Sequence, residues 1–582
     1  MRNKNFDVLK AIAIIAVVLY HIGTCEYGYL GVDVFLVIAG YFTSQSIDKQ
    51  IINGGGYFQF VTNRLFRLWP LLLLAGVVCL GFGWLMMLPD NFENVAQSVV
   101  ATNFFGNNVL AAITTKNYWD VSNDYKPLMH TWYVGVIMQF YVIIPLLLFA
   151  VGKWSKNGER RKHANIVLVS LIGVASLVAY LTCENAAMKF YYLPFRLYEF
   201  CAGCTVFYLF GNKSGSANKR VWANIGFVVA YLAVIALLFV DAEYMSRPAK
   251  LLSTVCLTSV LLMAMPRVEW AQGRIYSNKW VATIGAASFS IFVWHQVVIA
   301  LTRYSFTNNL EEFGPFVSVV ILTAILAIPS YKYVEKMKKN RAAWIATVVV
   351  LFLTTGFSLY IYETAGVVRD VPELDVVKGK IHRGMWAEYC DRGYRYDKDF
   401  SGMDKPKWYV IGNSFGRDMV NTILESPVAD SVEISYSTQE AYKKRGARFA
   451  EADVVFLSTL GVNDDIIRDV KSRCSERSKL YVIGEKNFGE SNGLVYRHRL
   501  EKNYHDLTIK MEEGYAEKND ILKRTYSDIY IDLIKMVQQP DGKVRVFSDD
   551  NRFISQDCRH LTKAGAQYYA KMMNWDRFLM KQ

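Results

Sequence analysis

The chain has 582 residues, too many for one compact domain. It is 52% hydrophobic and 20% charged, with a net charge of +13. Many of the basic residues lie in short loops between apolar blocks, which argues for a membrane protein and against a nucleic-acid-binding one.

Up to about Tyr362 the apolar residues come in blocks close to the roughly 20 residues that span a bilayer. The segments 8–25, 29–47, 70–88, 130–150, 165–183, 194–211, 221–240, 249–265, 282–301, 315–334 and 342–362 are predicted spans, eleven in all. The N-terminal segment MRNKNFDVLKAIAIIAVVLYHIG is read as the first retained span, because no small-residue cleavage site follows it. Continuous apolar runs exclude a transmembrane barrel, which needs alternation. Every second loop is basic: Arg2 and Lys4, then 48–69, 151–164, 212–220 and 335–341. The intervening 89–129 and 241–248 loops carry acids. This bias predicts a cytoplasmic N-terminus and a soluble C-terminal part outside the cytoplasmic membrane.

Ionisable groups in or beside a span are costly, so they are functional candidates. These are Asp7, Lys10, His21, Asp33, His130, Arg196, Glu199 and His295. Each also has a local structural reading; Arg196 and Glu199, three residues apart, can simply pair on one helix face.

The segments FDVLKAIAIIAVVLYHIG, GYLGVDVFLVIAGYF, NRLFRLWPLLLL, PLMHTWYVGVIMQFY, FYYLPFRLYEFCAG, SFSIFVWHQVV and SYKYVEK occur in that order. Together they resemble the acyltransferase-3 family, whose members transfer acyl groups across bacterial membranes to surface carbohydrates. The chain departs from the family pattern at Lys10-Ala11, where Arg-Gly is usual, and at Ile137-Met138, where a Glu-Glu pair is common. The resemblance implies that His21 is the membrane catalytic residue. It also implies that Lys10, Arg64 and Arg67 face the phosphates of a cytoplasmic acyl-CoA, most simply acetyl-CoA. Arg64 and Arg67 have a second reading as inside-positive charges that only set topology.

From about 376 the segments KWYVIGN, ADVVFLSTLG and KLYVIGE alternate with helix-like stretches, predicting an α/β domain with a parallel sheet. The domains are thus drawn at 1–340, at 341–375 for a further span and linker, and at 376–582. Gly412-Asn413-Ser414-Phe415-Gly416 satisfies G-x-S-x-G, a serine-nucleophile turn just past a strand. Gly461-Val462-Asn463-Asp464 and the spacing Asp557-x-x-His560 resemble blocks of the SGNH hydrolases, although Asn413 stands where that family prefers Asp. The resemblance implies Ser414 as nucleophile, Asn463 as an oxyanion donor, and His560 oriented by Asp557. An α/β-hydrolase order fits less well, and the glycine oxyanion donor has no secure position.

Three of the nine cysteines, Cys390, Cys474 and Cys558, lie in the soluble part, and their spacing matches no zinc motif. No metal is expected, and pairing of Cys390 with Cys558 stays open. The expected partners are acyl-CoA, membrane lipid, and an envelope polysaccharide or its lipid-linked precursor. The glycan acceptors of such fusions are lipopolysaccharide O-antigen, peptidoglycan or exopolysaccharide. Two other functions stay open: a carbohydrate esterase, and a non-enzymatic transporter or lipid-binding protein.

Overall fold

The computed structural model describes residues 4–114, 125–155, 157–211, 217–240, 245–265, 278–306, 309–378, 385–459 and 461–579. It divides into two units: Met1–Phe82 with Asn94–Leu359, and Gly83–Glu93 with Tyr360–Gln582.

The helices up to residue 363 are α1 (Lys4–Ile22), α2 (Gly31–Ile52), α3 (Tyr57–Met86), α4 (Pro89–Asn103), α5 (Asn107–Thr114), α6 (Trp132–Trp154), α7 (Gly158–Thr182) and α8 (Ala186–Tyr191). They continue with α9 (Leu197–Phe210), α10 (Ala217–Phe239), α11 (Arg247–Ala264), α12 (Lys279–Ala286), α13 (Ser288–Ser305), α14 (Phe313–Pro329) and α15 (Arg341–Glu363). Each predicted span falls on one or two of these. Among the described residues, 7 helices are long and apolar enough to cross a membrane, or up to 8 with the pair α12–α13, which bends by 71°. Leu197–Phe210 and Asn224–Phe239 are apolar but shorter.

Two predicted loops are largely helical. The 89–129 loop contains α4 and α5, and the 48–69 loop contains the first three turns of α3, so Arg64 and Arg67 sit on a helix. The FQFVTNRLFRLW stretch is amphipathic, with Phe60, Phe66 and Leu68 buried, and a search for wholly apolar runs passes over it.

Helices α2 and α9 meet backbone to backbone. A Cβ on Gly40 would lie 1.9 Å from the Phe200 carbonyl oxygen, and one on Gly203 would lie 1.9 Å from that of Val37. Small residues permit this approach, which is how apolar helices gain packing energy where the hydrophobic effect is weak.

In the second unit, β1 (Lys407–Ile411), β2 (Glu433–Ser437), β3 (Val454–Leu457), β4 (Lys479–Ile483) and β6 (Tyr530–Ile531) form one sheet in the order β2-β1-β3-β4-β6. All its pairings are parallel. The short strands β5 (Thr508–Ile509) and β7 (Val544–Arg545) pair antiparallel beside it. Alternation decides the two faces: Trp408, Val410 and Phe456 join one core, and Tyr409, Ile411, Val455 and Leu457 join the other. Strand order reverses between β2-β1 and β1-β3, which makes the carboxyl end of β1 the place where open α/β sheets bind ligands.

Replacing Gly203 by Leu forces α2 and α9 apart. The Gly203→Leu chain is expected to unfold in detergent at a lower temperature than wild type, by a penalty of about 1–3 kcal/mol or more. An unchanged midpoint would show that the contact is dispensable.

Candidate functional site

The first unit contains a half-open cavity of about 830 Å³, within the range that small-molecule sites occupy. One face of α2 lines it at helical spacing: Phe35, Ile38, Ala39 and Phe42, then Gln45, Ser46 and Lys49. The fourteen-residue step from Phe35 to Lys49 rises about 21 Å at ~1.5 Å per residue, so the lining passes from apolar to cationic. Lys10, Arg64 and Arg67 all line this cavity.

The two arginines are held differently. Arg64 lies between aromatic faces, 4.8 Å from the Phe60 ring centroid and 4.7 Å from that of Tyr141. Arg67 stands 3.5 Å from Glu335, which also accepts a hydrogen bond from Ser290 Oγ at 3.0 Å. Glu335 ends a π-helical turn, Ser330–Glu335, that follows α14 directly. Lys10 lies 3.9 Å from Asp7. The break between α12 and α13 also faces the cavity, through Ala286, Ser288 and Phe289. Irregular backbone at this depth is tolerated where it lines a cavity.

Beyond the apolar end lie three histidines. The His21 and His295 rings are 5.0 Å apart, and the His295 and His130 rings 5.2 Å. His21 Nδ1 is 2.9 Å from the Val17 carbonyl oxygen, and His295 Nδ1 is 2.6 Å from that of Phe292. A carbonyl only accepts, so Nδ1 carries the proton in each ring and Nε2 is left as the basic nitrogen. Lys10 and His21 are eleven residues apart, just over three turns. They therefore share a face of α1, about 16 Å apart along its axis.

Asp33, Arg196 and Glu199 form a second cluster. Arg196 Nη1 donates to Asp33 at 2.6 Å and to Glu199 at 2.8 Å, with each side chain at most 3% exposed. The pairing foreseen within one helix is present, and α2 adds a second carboxylate to it. The α2–α9 contact brings the groups together: Asp33 is two turns before Gly40, and Glu199 one turn before Gly203.

In the second unit Ser414 opens the helix Ser414–Leu424 directly after β1, and Asn413 caps it by accepting a hydrogen bond from Phe415 N at 3.0 Å. Gly412 is required by packing: a Cβ there would lie 1.7 Å from the Ser458 carbonyl oxygen at the end of β3. Ser414 Oγ is buried without a hydrogen-bond partner among the described residues. His560 Nδ1 lies 2.5 Å from Asp557 Oδ2, and Asp557 Oδ1 accepts the His560 N–H at 2.7 Å and the Arg559 N–H at 3.0 Å. The His560 ring packs 6.1 Å from that of Phe415, beside Ser414. Asn463 caps the helix Asp464–Arg473 through Oδ1, 3.0 Å from Ile466 N, on the loop after β3. Two neighbouring strand ends thus carry Ser414 and Asn463.

A buried ion pair, absent from the sequence reading, binds these loops. Asp418 pairs with Lys486 at 2.9 Å, both 2% exposed, and also accepts the Leu561 N–H at 3.1 Å. It ties the serine helix to the loop bearing His560. Glu485 accepts the Gly461 N–H at 3.0 Å and so holds the loop that leads to Asn463. Cys390, Cys474 and Cys558 are free thiols, so Cys390 and Cys558 are not bridged.

Burial pushes the Asp557 carboxyl up, but the His560 charge and three hydrogen bonds outweigh it and hold the group below its ordinary value. A folded-state value below the unfolded one stabilises the fold above about pH 4, and that stability is lost as pH falls through the folded value. The Asp557→Asn chain is expected to lose less stability than wild type on titration in detergent from about pH 5 to pH 2. Parallel curves would remove Asp557 as a contributor.

The acyltransferase-3 family, described as an acyltransferase domain, matches residues 3–363. A putative membrane-bound transacylase, BcsY of Komagataeibacter xylinus, is 26% identical over 338 residues, covering 58% of this chain and 82% of that protein. The peptidoglycan O-acetyltransferase OatA of Listeria monocytogenes is 25% identical over 347 residues, and the putative O-acetyltransferase SACOL0978 of Staphylococcus aureus is 25% identical over 345. In both the match spans 56% of the relative's length. No solved structure matches the chain. The matched region holds the basic cavity, the histidine row and the Asp33–Arg196–Glu199 cluster, and on that ground the chain belongs to the acyltransferase-3 family.

Proposed function

We propose that the protein is an O-acyltransferase that moves an acyl group, most simply acetyl, from cytoplasmic acyl-CoA to a hydroxyl of a cell-envelope glycan. The observation that carries this reading is helix α1. It presents Lys10 to the basic cavity and His21 to the histidine row on one face. Arg64 and Arg67 hold the phosphates of the donor, and the cavity's apolar half takes the thioester end. His21, with Nε2 as base, assists removal of the acyl group. The basic-loop bias puts the chain through the membrane eleven times, with the second unit outside.

The second unit acts as an SGNH-like domain that completes the transfer. Ser414 Oγ attacks the carbonyl of the acyl donor that the first unit delivers; the bond from that carbonyl to the donor's leaving atom breaks, and the Ser414 proton passes through His560 to that atom, while Asp557 stabilises the imidazolium. Asn463 and the Ser414 N–H stabilise the oxyanion. A sugar hydroxyl then attacks the Ser414 ester, which frees the serine and leaves the acyl group on the glycan. One relative's name, a peptidoglycan O-acetyltransferase, supports peptidoglycan as the acceptor class.

In a strain lacking the wild-type chain, complementation with Ser414→Ala or His21→Ala is expected to leave no glycan O-acetylation by NMR. Asn463→Ala should retain about 10²- to 10³-fold less activity than wild type. Full O-acetylation with Ser414→Ala would remove the second unit from the pathway. Release of free acetate from acetylated glycan, with none transferred, would make the second unit an esterase.

A further inference from the structure

Phe292 belongs to two surroundings at once. It forms part of the cavity wall, near Tyr133 and Phe289. Its ring also lies 5.0 Å from that of His130, 5.6 Å from that of His295 and 5.1 Å from that of Tyr133. The three histidines are absent from the cavity lining, and Phe292 is 5% exposed. A single benzyl group therefore ends the cavity and begins the histidine row. It does so at the apolar end, since α2 contributes Phe35 there and Lys49 at the other. The carbonyl of Phe292 also accepts from His295 Nδ1, so the residue is fixed to the row that it screens.

Resting on the reading of this cavity as the acyl-donor site, we propose that Phe292 sets the length of acyl chain the protein accepts. A donor anchored by its phosphates at Arg64 and Arg67 extends its thioester towards Phe292. An acetyl group ends against the ring. A longer chain must find room that the ring occupies, and the packed histidines behind it cannot supply that room without moving. Apolar pockets discriminate by about 10- to 200-fold per methylene, so one ring at the end of the cavity is enough to impose a strong preference. Truncating the ring extends the apolar end towards His130 and His295.

The test uses the full chain in membrane vesicles with envelope glycan, supplied with acetyl-, butyryl- or hexanoyl-CoA, and reads release of the CoA thiol. Phe292→Ala is expected to raise the hexanoyl-to-acetyl rate ratio by at least about tenfold. Phe292→Leu should raise it less, and Phe292→Trp should lower the butyryl rate relative to acetyl. The opposite signs keep the inference open to refutation if the alanine variant fails to insert. An active Phe292→Ala or Phe292→Leu chain with the wild-type length profile overturns the role of Phe292 alone. A wild-type chain that releases no thiol from any of the donors overturns the donor-site reading together with it.

Discussion

A charge inside an apolar helical unit is stable only where a partner or a cavity receives it, and that constraint orders the first unit. Arg196 is received by two carboxylates, Arg67 by Glu335, and Arg64 by two aromatic faces. Lys10, Lys49 and Lys336 line the cavity, while the buried Lys250 lies over the Tyr27 ring and Arg161 pairs with Asp48. The second unit obeys the same constraint with Asp418 and Lys486, a pair that is costly to bury and more costly to break. Such groups are poor sources of stability. Their contribution is to fix one arrangement of the elements that carry them.

Backbone approach does the complementary work. The α2–α9 contact at Gly40 and Gly203 sets the spacing at which Asp33 and Arg196 meet. Gly412 lets the end of β1 close on the end of β3, so that Ser414 and Asn463 leave adjacent strands. In both units a contact made by residues without side chains decides where residues with reactive ones stand.

Much of this was legible in the sequence where a residue pattern maps directly onto one element. Apolar blocks gave helices because a membrane-length run leaves no alternative. The runs before Gly412 and Gly484 gave strands because both faces of a parallel sheet are buried. What escaped depends on partners. Helix α4 has Phe92, Val95, Ala96 and Val99 buried on one face, a helical period hidden in a polar segment. Strand β2 reads as half polar, yet all five of its residues are buried. Ser435 donates to the Lys398 carbonyl, Arg448 donates to Ser437, and Glu433 accepts the Ser401 N–H. Phe292 and Glu335 lie within SFSIFVWHQVV and SYKYVEK. Nothing local marks either residue, because each matters through a neighbour distant in the chain. The serine, Asp557 and His560 were legible as spacing, whereas the ion pair beneath them was not.

The cysteines of the second unit bear on how cleanly an acyl group can travel. A thiolate, not a thiol, is the competing nucleophile for an activated acyl carbonyl. Burial pushes the Cys390 thiol up to about 12 and that of Cys474 up to about 11, and it raises Cys558, the residue between Asp557 and Arg559, as well. At neutral pH these sulfurs stay protonated and are poor acceptors. The thiols of the unit are chemically quiet, so under the proposed transfer an acyl group on Ser414 would meet little S-acylation to divert it.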